Sequence, residues 1–304
     1  MPAHNKCPLC GSGSITVIYE CTDFLVSGEK FPLSLCSSCS FIFTNNYPAE
    51  KDSAGYYQSD DYISHSDTSS GMMNKLYHIA RDLMLAAKFR MLRKESGLKS
   101  ASVLDIGSGT GYFLFYVSKK NWECLGIEIS REARDYALSK NNLKLMPPEA
   151  IDDIKAESID IITMWHTLEH FYHPEDYFAS ACKILKKDGL LVIALPNHRS
   201  YDAKKYRDLW AAWDVPRHLW HFNPETLQLL AARHHYKLRK IKRLPLDAFY
   251  ISSLSEKHKN SSLPLLRGLI RGSISFLVSL FDIKKTSSLI YFFRKEELKQ
   301  GPDQ

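Results

Sequence analysis

Three groups of residues have types and spacings that could do chemistry. Cys7-x-x-Cys10 and Cys36-x-x-Cys39 stand 25 residues apart. Each pair can form a knuckle that turns two thiolates toward one tetrahedral Zn²⁺, and Gly11 suits the tight turn after Cys10. Ser40 occupies the matching place after the second pair. A four-cysteine site leaves no open coordination position, so the zinc it implies is structural.

The second group lies in "SVLDIGSGTGYFLF", Ser102 to Phe115, where Gly107, Gly109 and Gly111 follow an apolar run directly. Glycines there let a backbone turn sharply and approach a ligand closely. A dinucleotide fingerprint would need its third glycine where Tyr112 stands, and the Lys-Ser/Thr pair of a phosphate loop is missing, so a pyrophosphate is not the natural ligand. Asp105 beside the turn would repel phosphate and attract an ammonium group. Glu128 ends the next apolar run, where an acid commonly bridges ribose hydroxyls.

The third group is two histidine clusters, "WHTLEHF" with His166, Glu169 and His170, and "WDVPRHLWHF" with Asp214, Arg217, His218 and His221. Histidine is the side chain best matched to moving a proton at neutral pH. Trp210, Trp213 and Trp220 are expected to wall an acceptor pocket, with Arg217 and His218 as its polar groups. Cys21, Cys124 and Cys182 have no pairing logic and read as core thiols.

These groups need elements to hold them. Val103–Ile106, Glu123–Glu128, Leu143–Met146, Ile159–Met164 and Leu190–Leu195 read as short strands. Helical stretches at Tyr112–Lys120, Arg131–Lys140 and Pro174–Leu185 lie between most of them, which implies a mainly parallel sheet covered on both faces. A leading helix is expected over Met72–Lys94 from apolar Leu76, Ile79, Leu83, Ala87 and Met91. Asn223 and Pro224 open another helix, and "YKLRKIKRL" and "SSLIYFFRK" are expected as final strands.

With 304 residues, 44% hydrophobic and 24% charged, the chain reads as one large domain with a small one before it. No basic segment followed by an apolar run opens it, which leads to a cytoplasmic expectation. Residues 231–304 carry 15 Lys/Arg against 6 Asp/Glu, a basic quarter that could face phosphate, anionic lipid or water. "LPLLRGLIRGSISFLVSLFDI", Leu263 to Ile283, is interrupted by Arg267, Arg271 and Asp282, so it is not expected as a membrane span but as an amphipathic helix, packed on its own domain in preference to the alternative, a peripheral contact with a membrane surface.

"VLDIGSGTGYF", "CLGIEIS", "SIDIITMWHTLEH" and "LKKDGLLVIALPN" together resemble the class I S-adenosylmethionine (SAM)-dependent methyltransferases in order and spacing. The double Cys-x-x-Cys and Pro216-Arg217-His218 extend the resemblance to zinc-headed bacterial members of that superfamily. It implies an α/β Rossmann-like sheet with helices on both faces, plus an N-terminal zinc ribbon. The expected organisation is a ribbon over 1–45, a linker and leading helix over 46–96, and a SAM-dependent domain over 97–304. Within that domain, 197–223 would cover the acceptor and 246–286 would be an insertion.

By the same resemblance Asp105, Gly107, Ser108, Gly109 and Gly111 would hold the methionine end of SAM, Glu128 the ribose, and Ile129 would flank the adenine. Met164 and Trp165 would line the methyl-donor side, and the ribbon would help shape the acceptor site. His218 is the first choice of catalytic base and His166 the second. The acceptor is expected to be a small molecule or a sugar- or lipid-linked carrier. RNA or protein is the alternative acceptor, disfavoured by a ribbon with few basic residues and no Asn/Asp-Pro-Pro-Tyr motif, and a non-catalytic scaffold is the further alternative.

Overall fold

The computed structural model describes residues 3–57, 72–244 and 246–296, with 72–80 by backbone alone. Much of the Ser-, Asp- and Tyr-rich linker, and the side chains of Leu76 and Ile79, lie outside the described residues. Three strands come first, β1 (Ile15–Thr22), β2 (Lys30–Cys36) and β3 (Ile42–Thr44). The long helix α1 (Met72–Ser96) leads into β4 (Ser102–Ile106), α2 (Tyr112–Ser118), β5 (Glu123–Ile127), α3 (Arg131–Asn141) and β6 (Ile159–Trp165). Then come α4 (Pro174–Ile184), β7 (Leu185–Pro196), α5 (Tyr201–Tyr206), β8 (Trp220–His221), α6 (Pro224–Arg233) and β9 (Tyr236–Arg243). Two helices, α7 (Asp247–His258) and α8 (Pro264–Phe281), precede β10 (Ser288–Lys295).

The large sheet runs β5-β4-β6-β7-β10-β9. β4, β5, β6 and β7 pair in parallel, and β10 is antiparallel to both its neighbours. The four parallel strands are nearly continuous apolar runs because helices cover both faces, and Leu104, Ile162, Leu191 and Ile193 are fully buried. Local caps agree with the pattern. Asn223 accepts from the backbone N–H of Glu225 and Thr226 at the start of α6, and Ser130 accepts from that of Ala133 at the start of α3.

One expectation fails, and one helix was not foreseen. Leu143–Met146 is not a strand, and only Met146 bridges Ile127. Pro147 and Pro148 follow at once, and two residues without an N–H cannot extend a ladder. The helix α7 had no apolar period to announce it, because its inward positions include Ser252 and Ser255.

The four-stranded small sheet runs β1-β2-β3-β8. Its last strand comes from the segment between β7 and α6, with Ile42 opposite His221 and Phe43 opposite Trp220. The N-terminal strands and the segment expected to cover the acceptor therefore form one sheet. Phe41 stacks on Trp220, their ring centres 6.2 Å apart, and Phe41, Phe43 and Trp220 share a core cluster with Ile162 and Leu191 of the large sheet. Phe31, Leu33 and Ile42 share a second cluster with Trp210, Trp213 and Val215, so the small sheet packs with the segment it pairs with.

Candidate active site

The four cysteines meet at the edge of the small sheet. The Cys7 carbonyl accepts from Gly11 N–H and the Cys36 carbonyl from Ser40 N–H, each at 2.8 Å, so the two knuckles repeat one geometry. Gly11 has φ of +75° and Ser40 of +62°, so serine takes the left-handed place that glycine fills in the first knuckle. Cys7 and Cys39 sulfurs are 3.6 Å apart, Cys10 and Cys36 sulfurs 3.5 Å, and all four lie within 4.8 Å of one another. Four thiolates about 2.3 Å from one zinc stand about 3.8 Å apart, so the donor set fits Zn²⁺. We expect one equivalent of bound zinc by elemental analysis. Stripping it with a chelator should lower the melting temperature, and adding zinc back should restore it.

At the carboxyl end of β4 the backbone turns back on β5, with Gly107 and Ser108 N–H both donating to the Ile127 carbonyl at 2.8 and 2.9 Å. Gly107 and Gly109 have φ of +78° and +55°, and Gly111, also left-handed, caps α2. Among the described residues a Cβ on Gly109 would meet nothing within 4 Å, whereas one on Gly107 would strike the Thr167 side chain. The turn is thus packed at its base and open at its crown. Glu128 is fixed beside that crown, one carboxylate oxygen accepting from Gly109 N–H at 2.7 Å and the other from Ser130 N–H at 2.8 Å. Ile129 follows, with 76% of its surface exposed.

Asp105 is deeper than its position in sequence suggests. It is 2% exposed and accepts from Thr163 Oγ1 on β6 at 2.5 Å, and burial pushes its pKa up to about 7 despite that bond and the nearby Lys88. Lys88 reaches in from α1, its ammonium 4.3 Å from the centre of the Trp165 ring, and burial holds its pKa below the usual lysine value. Met164 is fully buried in the core, while Trp165 is 9% exposed.

Beyond β6 the histidines gather. His166, with φ of +55°, lies between two carboxylates: Nε2 is 2.9 Å from Asp247 Oδ2 and Nδ1 is 3.4 Å from Glu169 Oε1. Burial alone would lower its pKa, but the charges of Asp247 and Glu169 carry it up to about 10, so it is a resident cation at neutral pH. Glu169 is 1% exposed, and among the described residues neither of its oxygens has a hydrogen-bond partner of good geometry, although His218 Nε2 stands 4.0 Å from Oε1.

His218 Nδ1 is 2.9 Å from the Ala212 carbonyl, which can only accept. Nδ1 therefore carries a proton and donates in that bond, and Nε2 faces the carboxylates of Glu169 and Asp214, at 4.0 and 3.9 Å. The His170 ring packs edge-on against His218, with centres 4.5 Å apart, and its Nδ1 is 3.2 Å from the Tyr57 hydroxyl. Burial, then the charge of His218, pushes the His170 pKa down to about 4. Glu169, His170 and His218 bring one oxygen and two nitrogens within 4.8 Å of one another, donors of a type able to hold a divalent cation.

The rest of the tryptophan-rich segment departs from expectation. Trp210, Trp213 and Trp220 are 2%, 3% and 5% exposed, and their N–H groups donate to Asp202, the Arg207 carbonyl and the Phe171 carbonyl. They anchor the segment and do not line an open pocket. Arg217 is no acceptor ligand either, because its guanidinium is bound to Asp23 and Asp214. His221 is buried against Thr44 Oγ1 at 3.0 Å. Reasoning from sequence missed Asp247 and Lys88, which stand on α7 and α1 with no local motif to mark them.

A family model described as a methyltransferase domain matches residues 77–241, more than half of the chain. The chain belongs to this methyltransferase-domain family. Among curated proteins, the ubiquinone biosynthesis O-methyltransferase of Pelagibacter ubique (strain HTCC1062) is 28% identical over 116 residues, 36% of this chain and 48% of that protein. Its counterpart from Glaesserella parasuis serovar 5 (strain SH0165) is 32% identical over 115 residues, 34% of this chain and 49% of that protein. The methyltransferase-domain chain thus spans about half the length of these relatives. Among solved structures, a candidate sarcosine dimethylglycine methyltransferase from Galdieria sulphuraria superposes with a TM-score of 0.52 at 16% identity, over 72% of this chain and 86% of that one. The shared feature is the Rossmann-like methyltransferase fold.

Proposed function

We propose that this chain transfers a methyl group from SAM to a hydroxyl of a small-molecule or carrier-linked acceptor, such as a sugar- or lipid-linked intermediate. The observation that carries the donor assignment is the Glu128 carboxylate fixed on Gly109 N–H at the open crown of the glycine turn. A carboxylate there accepts from both ribose hydroxyls, and the bare backbone admits the methionine end. Gly107, Ser108, Gly109 and Gly111 form that cradle. Asp105 supports it from below, and exposed Ile129 is placed to cover the adenine. SAM supplies an electrophilic methyl on a sulfonium, and the protein's own residues orient the acceptor and receive its proton.

His218 is assigned as the base through Nε2, the ring nitrogen that its bond to Ala212 leaves unengaged. His166, already protonated between Asp247 and Glu169, is unsuited to accept a proton at neutral pH and is assigned as a fixed positive charge and brace. An oxygen acceptor also agrees with the relatives, whose names describe O-methylation in ubiquinone biosynthesis. Cys7, Cys10, Cys36 and Cys39 are assigned to a structural zinc. It would hold β3 against β8 and so keep His218 in place.

The test is His218→Ala. Turnover should fall by about 10²–10⁴-fold while SAM affinity stays within about twofold. A variant with undiminished turnover would remove His218 from the mechanism. Labelled methyl from SAM should enter the small-molecule or lipid fraction of a cell lysate; label confined to RNA or protein would overturn the acceptor class.

A further inference from the structure

Helix α8 is inside out for a helix on a water-soluble surface. Its inward side is made of small residues, Gly268, Gly272, Ser275 and Ser279. A Cβ at Gly268 would come within 2.4 Å of Ser253 Cα, and one at Gly272 within 2.7 Å of Phe249 Cα, so α8 lies backbone against backbone on α7. Its large apolar residues face out: Leu266, Leu269, Ile270, Leu277 and Leu280 are each half exposed or more, and Phe281 is 93% exposed. At 100° per residue these six fall on one arc of about 120°. A packed amphipathic helix would bury that stripe, and here the stripe is offered to whatever lies outside.

We propose that this face docks on the interfacial layer of an anionic lipid bilayer. No Asp or Glu occurs between Glu256 and Asp282, while Lys257, Lys259, Arg267 and Arg271 do. Arg267 and Arg271 lie together along one side of the apolar arc, where their stems would follow the acyl boundary and their guanidinium groups meet lipid phosphates. A second copy of the chain is the poorer occupant, because a two-fold contact through this stripe would bring arginines together with no acid to meet them. The helix is long and apolar enough to cross a membrane by length and composition alone. Its small face is already packed on α7, and the hairpin of α7 and α8 is tied to the large sheet at β9 before it and β10 after it, so α8 lies in the membrane plane. The first residue of α7, Asp247, holds His166, so the hairpin that meets the lipid also frames the histidine cluster.

The experiment is flotation of the full chain with vesicles of phosphatidylcholine and phosphatidylglycerol in a 7:3 ratio, beside phosphatidylcholine alone. The wild-type chain should float with the anionic vesicles and be released by salt. Leu269→Glu with Leu280→Glu should abolish flotation without changing the melting temperature, since both side chains are exposed. Arg267→Gln with Arg271→Gln should weaken binding about 30-fold and flatten its salt dependence. Failure of the wild-type chain to float would overturn the proposal. So would equal flotation of the leucine variant, or a dimer in light scattering that the leucine variant dissociates without any vesicle binding in the wild type.

Discussion

Arg217→Met is expected to destabilise the chain by about 3–5 kcal/mol, the cost of leaving a buried charge without its partner. The Arg217 guanidinium donates to Asp23 Oδ1 at 2.9 Å, to Asp214 Oδ1 at 2.7 Å and to the Tyr56 carbonyl at 2.9 Å. The Arg217 and Asp23 side chains are 1% and 0% exposed, so water cannot replace either partner. The pair joins the β1–β2 hairpin to the segment that carries His218, and its loss should also reduce turnover.

The pH dependence of this pair follows from Asp23. Burial alone would raise its pKa, but the Ser27 N–H and Arg217 hold it below the usual carboxylate range. A folded pKa below the unfolded one means that its contribution is present above about pH 4 and lost as pH falls through the lower folded value. Without Arg217 the folded pKa rises, so the variant should lose stability at a higher pH than the wild-type chain. Urea unfolding at pH 7 and pH 5 measures both effects. Replacing Asp23 by Leu together with Arg217→Met should recover part of the loss, because the fully buried charge is then gone and Asp214, 28% exposed, can turn to water. An unchanged urea midpoint in the single variant would show that the pair is not structural.

Glu128→Ala should weaken SAM binding by about 100-fold or more. A carboxylate accepting two hydroxyls contributes about 1.5–3 kcal/mol per charge-assisted bond, and about 3 kcal/mol corresponds to that factor. The same substitution removes the anchor of Gly109 N–H, so the crown of the turn loses its fixed shape. Glu128→Gln keeps one acceptor and should lose less. Calorimetric titration gives both values, and circular dichroism checks that the fold survives.

How much of this was legible depends on how far apart the cooperating residues lie. The cysteine knuckles, the glycine turn and the strands around it are local patterns, and each was readable within a dozen residues. The pairing of β3 with β8, and of Asp23 with Arg217, spans more than 170 positions and leaves no trace in either local sequence. For the same reason residue type misled at Trp210, Trp213 and Arg217. A rigid apolar ring or a cation suits a pocket wall as well as a buried anchor, and only tertiary packing decides between them. The apolar stripe of α8 was visible as a period, but a period does not say which face turns inward. Gly268 and Gly272 held that information, because only a helix approached at backbone distance needs them.

The central claim is a SAM site built on the glycine turn and Glu128. Isothermal titration of the full chain with SAM, run beside NADH and beside Glu128→Ala, tests it most directly. The expected result is one SAM bound per chain, no NADH binding, and affinity reduced about 100-fold in the variant. Absence of SAM binding, or equal affinity in Glu128→Ala, would contradict it.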